Sequence, residues 1–195
     1  MKLGAVLLAS GLSRRFGTNK LLEPLCGRPM VCYALDAMRA LDAARWAVVT
    51  GDEAVARLAC EREMEIIRND APELGQAHSI ALGAEAMRDM DAVLLLAGDQ
   101  PLLSGESLRM LVQQFSQSGI GIACLKDGTH FGNPAVFSAE YLPELTALRG
   151  DRGAKAILRA HADDLLIVPC VSECELTDAD TPQALLRIAE AMNGK

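Results

Sequence analysis

Short apolar runs alternate with helical patterns along this chain of 195 residues, and this alternation limits the possible folds. Several runs are apolar without interruption, as expected for strands that are covered on both faces. The predicted strands are Leu3–Leu8, Trp46–Thr50, Glu65–Arg68, Ala92–Ala97, Gly121–Leu125, Ala135–Phe137 and Leu165–Val168. The predicted helices are Met30–Leu41, Ala54–Glu63, Ser79–Met87, Ser104–Gln117, Ala154–His161 and Pro182–Met192. The pattern predicts a Rossmann-like α/β fold, a mostly parallel sheet with helices on both faces, formed as a single domain over residues 1–195.

The charge balance argues against several classes of partner. The chain carries 26 acidic and 19 basic residues, for a net charge of −7. Because phosphate neutralisation drives binding to nucleic acids, an acidic chain is a poor candidate for that role. No apolar run is long enough to span a membrane, and the run Leu3–Leu8 is too short for a signal peptide. We therefore expect a cytoplasmic protein with no nucleic-acid or membrane partner.

Six cysteines are scattered along the chain without a recognisable pattern. They form no CxxC pair, and their spacings match no zinc site. We interpret them as buried or incidental reduced thiols.

The loop after the first predicted strand combines small residues with positive charge. Ala9-Ser10-Gly11 would let a ligand approach the backbone closely, and free N–H groups in such a turn can cradle phosphate oxygens. Arg15 and Lys20 add a forked cation and a point cation, which suits a triphosphate. The spacing matches neither a Walker A loop nor GxGxxG. On spacing alone, an ordinary βα turn with a basic surface remains open.

Two further loops carry carboxylates. Asp99 follows the predicted strand Ala92–Ala97, and Asp178 and Asp180 lie just before Pro182. A carboxylate beyond a buried strand is well placed to bind Mg²⁺, which would bridge phosphate oxygens. Asp99 could instead cap a turn, and Asp180 could stabilise a helix start. On the residues alone, Asp180 could join Asp99 around one Mg²⁺, and both interpretations of these carboxylates stay open.

These motifs resemble those of nucleotidyltransferases, in particular the molybdenum cofactor cytidylyltransferases and their MobA-like relatives. Leu8 to Lys20 resembles the family pattern L-A-(A/G)-G-x-S-x-R-(M/F)-G-x-x-K. Gly98 to Pro101 resembles its metal motif, and Asp178 to Pro182 resembles its D-x-D-T-P segment. The resemblance covers nearly the whole chain and implies a nucleotidyltransferase fold of the glycosyltransferase-A-like type.

The resemblance also implies roles for individual residues. The nucleotide would be bound by Leu8, Ala9, Ser10, Gly11, Ser13, Arg15, Lys20, Asn69, Gly75 and Ser79. Catalysis would depend on Arg15, Lys20 and Asp99, and the metal would be held by Asp99 and Asp180. The acceptor would be bound by Gln100, Pro101, Gly132, Asn133 and Pro134.

The implied reaction transfers CMP from CTP to the phosphate of a molybdenum-bound pterin, with Mg²⁺ as cofactor and pyrophosphate as product. A molybdenum hydroxylase would be the recipient of the product. Ser10 departs from the family, which has Ala or Gly beside the nucleobase, so the choice of base stays open. The alternatives are GTP as donor, another phosphorylated acceptor such as a sugar or polyol phosphate, and a non-catalytic nucleotide- or cofactor-binding chaperone.

Overall fold

The computed structural model describes residues 1–11, 19–128, 130–150 and 153–193 of the chain. Its strands are β1 (Leu3–Leu8), β2 (Pro24–Leu25), β3 (Arg28–Pro29), β4 (Arg45–Thr50), β5 (Glu65–Arg68), β6 (Ala92–Ala97), β7 (Ile122–Asp127), β8 (His130–Ser138) and β9 (Leu165–Pro169). Its α-helices are α1 (Val31–Arg39), α2 (Glu53–Cys60), α3 (Gln76–Ala86), α4 (Gly105–Ser118), α5 (Leu142–Ala147), α6 (Lys155–Ala160) and α7 (Pro182–Asn193).

Seven strands form one sheet in the order β5-β4-β1-β6-β8-β7-β9. All neighbours in this sheet pair in parallel except β8, which runs antiparallel to both β6 and β7. From β1 the chain first builds strands on one side and then returns to place β6 on the other side. Ligands bind at such a switch point, outside the carboxyl ends of the strands.

Both faces of the sheet are buried, which explains the uninterrupted apolar runs. Ala5 and Leu7 of β1 belong to one core with residues of α1 and α4, whereas Val6 belongs to a second core with residues of α3 and α5. The predicted α/β class, with helices on both faces, is therefore confirmed. Among the described residues, no helix combines the length and the apolar composition needed to cross a membrane.

The boundaries of several elements differ from those predicted. The strand predicted at Ala135–Phe137 extends over His130–Ser138, so that residues 132–134 lie within β8 rather than before it. These three residues stand opposite Leu125 alone, because the pairing passes from Cys124 with Ala135 to Lys126 with Phe131. A prediction that rests on the alternation of apolar and polar residues cannot detect such a bulge.

Other differences have local causes. The helix predicted from Ser79 begins earlier, at Gln76, because Gly75 turns the chain with a φ of 84°. Helix α5 was not predicted, since it covers Leu142–Ala147 only and is preceded by a short 3₁₀ turn. The two-residue strands β2 and β3 are too short to show an alternating pattern.

Candidate active site

Lys20 joins the two predicted metal carboxylates at the carboxyl ends of β1 and β6. Its Nζ atom lies 2.7 Å from Oδ2 of Asp99 and 2.8 Å from Oδ1 of Asp180. Asp99 follows Gly98, whose N–H donates to the carbonyl of Leu8 at the end of β1. Residues from the beginning, middle and end of the chain thus meet at one point.

The local structure explains where Lys20 points. Lys20 begins a 3₁₀ turn whose cap is Asn19, and the Asn19 Oδ1 atom accepts the N–H of Leu21 at 3.1 Å. The Asn19 side chain also donates to Asp52 at 2.8 Å, and Asp52 caps α2. This connection ties the start of the turn to the neighbouring helix.

The charged side chains of this site are largely shielded from solvent. The Lys20 side chain is only 13 % exposed, and that of Asp99 is 22 % exposed. Burial alone lowers the pKa of Lys20, but Asp99 and Asp180 outweigh burial and raise that pKa above its ordinary value. Lys20 is therefore a fixed positive charge at neutral pH, held between two carboxylates.

Asp178 makes a different contact from Asp180. Its Oδ1 atom accepts a hydrogen bond of 2.9 Å from the side-chain amide of Gln100. Partial loss of hydration and the charges of Asp99 and Asp180 raise the pKa of Asp178, although the hydrogen bond from Gln100 opposes them. The structure thus separates the two carboxylates, with Asp180 at Lys20 and Asp178 at Gln100.

Two clefts meet at this point. The first cleft, of about 340 Å³, is lined by Ser10, Gly11 and Lys20 on one side and by Gly75 and Ser79 on the other. The second cleft, of about 400 Å³, opens on the other side and is bounded by residues of β8 and by the start of α6. Both clefts share the residues Leu8, Gln76, Ala97 and Asp99. Among the acidic residues that the structure describes, Asp99 is therefore the one that lines both clefts.

Most of the predicted nucleotide residues gather at the first cleft. Leu8, Ser10, Gly11, Lys20, Gly75 and Ser79 line it, while Ala9 and Asn69 border an adjoining hollow. Ser13 and Arg15 fall within residues 12–18, outside the described residues.

Asn69 and Ser10 are fixed by hydrogen bonds within the protein. Asn69 is 1 % exposed, and its amide donates to the Ser79 hydroxyl at 3.0 Å and accepts the N–H of Ala71 at 3.1 Å. The Ser10 hydroxyl donates to the carbonyl of Val49 at 3.0 Å. Because the Ser10 hydroxyl already donates its proton, its oxygen can only accept a hydrogen bond from a ligand.

The predicted acceptor residues divide into two groups. Gln100, Gly132 and Asn133 line the second cleft, and the Asn133 amide donates to Oε1 of Gln100 at 3.0 Å. Pro101 and Pro134 are buried and do not line either cleft. The bulge at residues 132–134 is what turns Asn133 towards Gln100, in keeping with the frequent placement of bulges next to active sites.

The second cleft also contains residues to which the sequence assigned no individual role. Lys155 and His130 line it together with Gln76 and Phe131. The Lys155 ammonium lies 5.6 Å from the centre of the Phe131 ring, within the range of a cation–π contact. Lys155 ends the segment that begins at Gly150 and resembles a G-D-x-G-A-(R/K) motif of the family, which predicts a position on the acceptor side.

The carboxylates at this site fit a metal ion that takes its remaining ligands from the bound substrate. Among the described residues, no three acidic, His or Cys side chains converge as a metal site. Asp99 and Asp180 nevertheless converge on one positive charge, the Lys20 ammonium. Mg²⁺ is usually held by one or two carboxylates together with substrate phosphates, so this pair fits such an ion.

Two clefts that meet at Asp99, with Asp99 and Asp180 both at Lys20, suit a transfer between two bound substrates. Residues 5–165 match the family described as MobA-like NTP transferase domain. The chain belongs to this family. The predicted resemblance to MobA-like nucleotidyltransferases is therefore confirmed.

A relative in Cupriavidus taiwanensis, the bifunctional protein GlmU, is 28 % identical over 169 residues. The match covers 84 % of this chain and 37 % of that protein. The chain thus spans little more than a third of the length of this relative.

Solved structures share the fold over their full length. Rv0371c from Mycobacterium tuberculosis H37Rv has a TM-score of 0.85 at 24 % identity, covering 97 % of this chain and 98 % of that one. A structure of the same protein in complex with manganese has a TM-score of 0.79 at 22 % identity, with 98 % and 100 % covered. The molybdopterin-guanine dinucleotide biosynthesis protein A from Archaeoglobus fulgidus has a TM-score of 0.76 at 21 % identity, covering 98 % and 100 %. A CMP:2-keto-3-deoxy-manno-octonic acid synthetase complexed with CTP has a TM-score of 0.75 at 16 % identity, covering 100 % and 99 %.

Proposed function

We propose that this chain is a Mg²⁺-dependent nucleotidyltransferase that transfers CMP from CTP to the phosphate of a molybdenum-bound pterin. The observation that carries the proposal is the position of Asp99 between two clefts, with Asp180 brought to the same cation, Lys20. A donor nucleotide in the first cleft and an acceptor in the second would meet at Asp99.

The first cleft suits the triphosphate. Lys20 supplies a fixed positive charge, and the small residues Ser10 and Gly11 let phosphate oxygens approach the backbone. Arg15 remains a predicted second cation on this side. Asp99 and Asp180 would hold the metal ion, which supplies charge neutralisation at the phosphates. The manganese complex of Rv0371c supports a divalent cation in a protein of this fold.

The second cleft suits a phosphorylated acceptor. Lys155 places a cation in its wall, and Gln100 and Asn133 add amide groups. An acceptor phosphate oxygen would form the bond to the α-phosphorus while the bond between the α-phosphorus and the bridging oxygen breaks, and pyrophosphate would leave. The acceptor phosphate is itself the nucleophile, so no side-chain nucleophile is required. The residues named here contribute positioning and electrostatic stabilisation.

Ser10 bears on the choice of base. With its proton donated to Val49, its hydroxyl oxygen can accept from an amino group such as that on C4 of cytosine. Guanine carries amino and imino donors as well, so the hydroxyl does not separate CTP from GTP. The likeness to molybdopterin-guanine dinucleotide biosynthesis protein A keeps GTP as the second donor to be tested.

Transfer of a nucleotide to a sugar-derived acceptor is the second candidate function. It is favoured by the likeness to the CMP:2-keto-3-deoxy-manno-octonic acid synthetase, a CTP-bound protein whose name joins CMP to a sugar acid. The acceptor-side residues Lys155, Gln100 and Asn133 would serve a sugar or polyol phosphate as well as a pterin phosphate.

The deciding experiment measures pyrophosphate release with Mg²⁺ for CTP, GTP, ATP and UTP in parallel, with molybdenum cofactor as acceptor. Release with CTP alone supports the proposal, whereas release with GTP alone moves the chain to guanylyl transfer. If the molybdenum cofactor fails with all four donors, the same panel is run with sugar and polyol phosphates. Binding of CTP without pyrophosphate release from any acceptor would favour a non-catalytic nucleotide-binding protein.

A further inference from the structure

Glu175 has a buried carboxylate that lies away from both clefts and accepts several hydrogen bonds. It is 2 % exposed, and its Oε2 atom accepts the N–H and the hydroxyl of Ser104, each at 3.0 Å. Its Oε1 atom accepts the N–H of Ser172 at 2.9 Å. A buried charge is costly unless it is compensated. No cation pairs with Glu175 within the described ranges, so these donors and the N-terminus of α4 compensate it.

A second contact fixes the same loop to the same helix. Ser104 caps α4, and its hydroxyl oxygen accepts the N–H of Ser107 at 3.0 Å. The hydroxyl oxygen of Ser107, which is fully buried, accepts the N–H of Val171 at 2.9 Å. The segment from Val171 to Glu175 is therefore tied to the first turn of α4 at two points.

The same loop continues directly into the candidate metal site. The carbonyl of Leu176 accepts from the Gln100 amide at 3.4 Å, and the N–H of Ala179 donates to the carbonyl of Asp99 at 2.9 Å. Asp180 follows at once and reaches Lys20. The path from the buried Glu175 anchor to Asp180 is short and is bonded along its length.

We propose that Glu175 is a positioning residue that holds Asp180 beside Asp99. It acts through the loop backbone and has no contact with either cleft. In setting the distance between Asp99 and Asp180 it would also set the affinity of the pair for a divalent cation, and this last step rests on the proposed function.

A glutamine cannot replace Glu175 without loss. If its NH₂ group takes the place of Oε1, it faces the N–H of Ser172, and if it takes the place of Oε2, it faces the N–H of Ser104. Either orientation sets two donors against each other and leaves a partly buried N–H unpaired, which weakens the anchor. Glu175→Gln therefore changes the anchor while nearly preserving its volume.

Hydrogen exchange measured by mass spectrometry tests the positioning role without any assay of activity. In Glu175→Gln we expect amides in residues 176–181 to exchange roughly tenfold faster or more than in the parent protein. Asp164→Asn is the matched control, since the Asp164 carboxylate also holds a loop by accepting the N–H of Gly121 at 3.0 Å, at the opposite end of strands β7 and β9 from Glu175. It should leave exchange in 176–181 unchanged. Equal exchange in this segment for the two variants overturns the proposal.

A milder variant covers the case in which Glu175→Gln does not fold. Ser104→Ala removes the hydroxyl that donates to Glu175 and caps α4, but it keeps the backbone donor, so the anchor is weakened rather than lost. It should accelerate exchange in residues 176–181 by a smaller factor, and no acceleration there would overturn the proposal.

The link to the metal is tested by the Mg²⁺ dependence of pyrophosphate release. We expect Glu175→Gln to raise the Mg²⁺ concentration for half-maximal rate by about fivefold or more, with the rate largely restored at saturating Mg²⁺. Asp164→Asn should keep the parent value, and a Glu175→Gln value equal to the parent would overturn the link. If the parent protein releases no pyrophosphate with any acceptor, the proposed function fails, while the exchange result still decides the role of Glu175.

Discussion

The backbone N–H of Ala179 donates to the backbone carbonyl of Asp99 at 2.9 Å. This bond joins the two acidic loops through the main chain, so it does not depend on the Asp99 carboxylate. The side chain of Asp99 can consequently be removed while the loops remain connected. Substitution at Asp99 is for this reason a clean test of its chemistry.

Asp99→Ala is expected to abolish turnover and to leave the fold intact. The loss should exceed about a hundredfold, because charge neutralisation at the reacting phosphates depends on this carboxylate. The urea midpoint should stay close to that of the parent, since Lys20 keeps its contact with Asp180. Asp42→Ala, at an exposed aspartate before β4, is the control and should retain full activity. Near-normal turnover in Asp99→Ala would show that the metal assignment is wrong.

Lys20→Met should have opposite effects on stability and on metal binding. Without the ammonium, Asp99 and Asp180 repel each other, and we expect the free energy of unfolding to fall by about 1–2 kcal/mol, between the values for exposed and buried pairs. The same repulsion favours a divalent cation, so millimolar MgCl₂ should restore the urea midpoint of Lys20→Met more than that of the parent. Lys2→Met, at an exposed lysine, should show no such response. Turnover of Lys20→Met should be lost even at high MgCl₂.

The fold class could be predicted because the sheet is buried on both faces. Ala5, Val6 and Leu7 of β1 all lie in core positions, two on one face and one on the other, and an uninterrupted apolar run is what such burial requires. The bulge at residues 132–134 could not be predicted in this way. It depends on the pairing of β8 with β7, which is a relationship between distant parts of the chain.

The candidate site could be predicted in part. Asp99 and Asp180 follow buried strands or precede a helix, and the family motifs mark them. Lys155 stands in a motif too, but only the fold places it in the wall of the second cleft. Glu175 carries no signal, because a glutamate in a loop is ordinarily exposed. In the fold its buried carboxylate accepts two hydrogen bonds from Ser104, a residue that is distant in sequence.

Asn69→Ala should weaken both the fold and nucleotide binding. The substitution leaves the Ala71 N–H without its acceptor and the Ser79 hydroxyl without its donor, so we expect a loss of about 1–3 kcal/mol in the free energy of unfolding. Asn69 holds the chain just before Pro72 and Glu73, which line the first cleft. The KM for the nucleotide should therefore rise more than kcat falls. Ser79→Ala, which removes one hydrogen bond, should have a smaller effect on stability.

Asp164 should contribute to stability in a pH-dependent way. The hydrogen bond from the Tyr141 hydroxyl at 2.6 Å and the N–H of Gly121 hold the pKa of Asp164 below its usual range. The same contact raises the pKa of Tyr141 to about 12. A carboxyl whose pKa is lower in the folded state stabilises the protein above its unfolded pKa, and this contribution disappears as the pH falls through the folded pKa.

The difference in urea midpoint between the parent and Asp164→Asn should consequently be largest near neutral pH. It should shrink as the pH falls below about 4, the ordinary pKa of an aspartate. A difference that stays constant from pH 7 to pH 3 would show that the charge of Asp164 has no role.

The six cysteines should differ in their reaction with iodoacetamide according to burial. Cys26, Cys60 and Cys174 are exposed. Burial raises the pKa of the Cys124 thiol to about 11, and burial together with Glu175 and Asp127 raises that of Cys170 to about 12. Since the thiolate is the reactive form, mass spectrometry after brief treatment at pH 8 should find the exposed cysteines alkylated and Cys32, Cys124 and Cys170 spared. Modification of Cys170 as fast as that of Cys60 would mean that the loop after β9 leaves α4 readily, contrary to its attachment through Glu175.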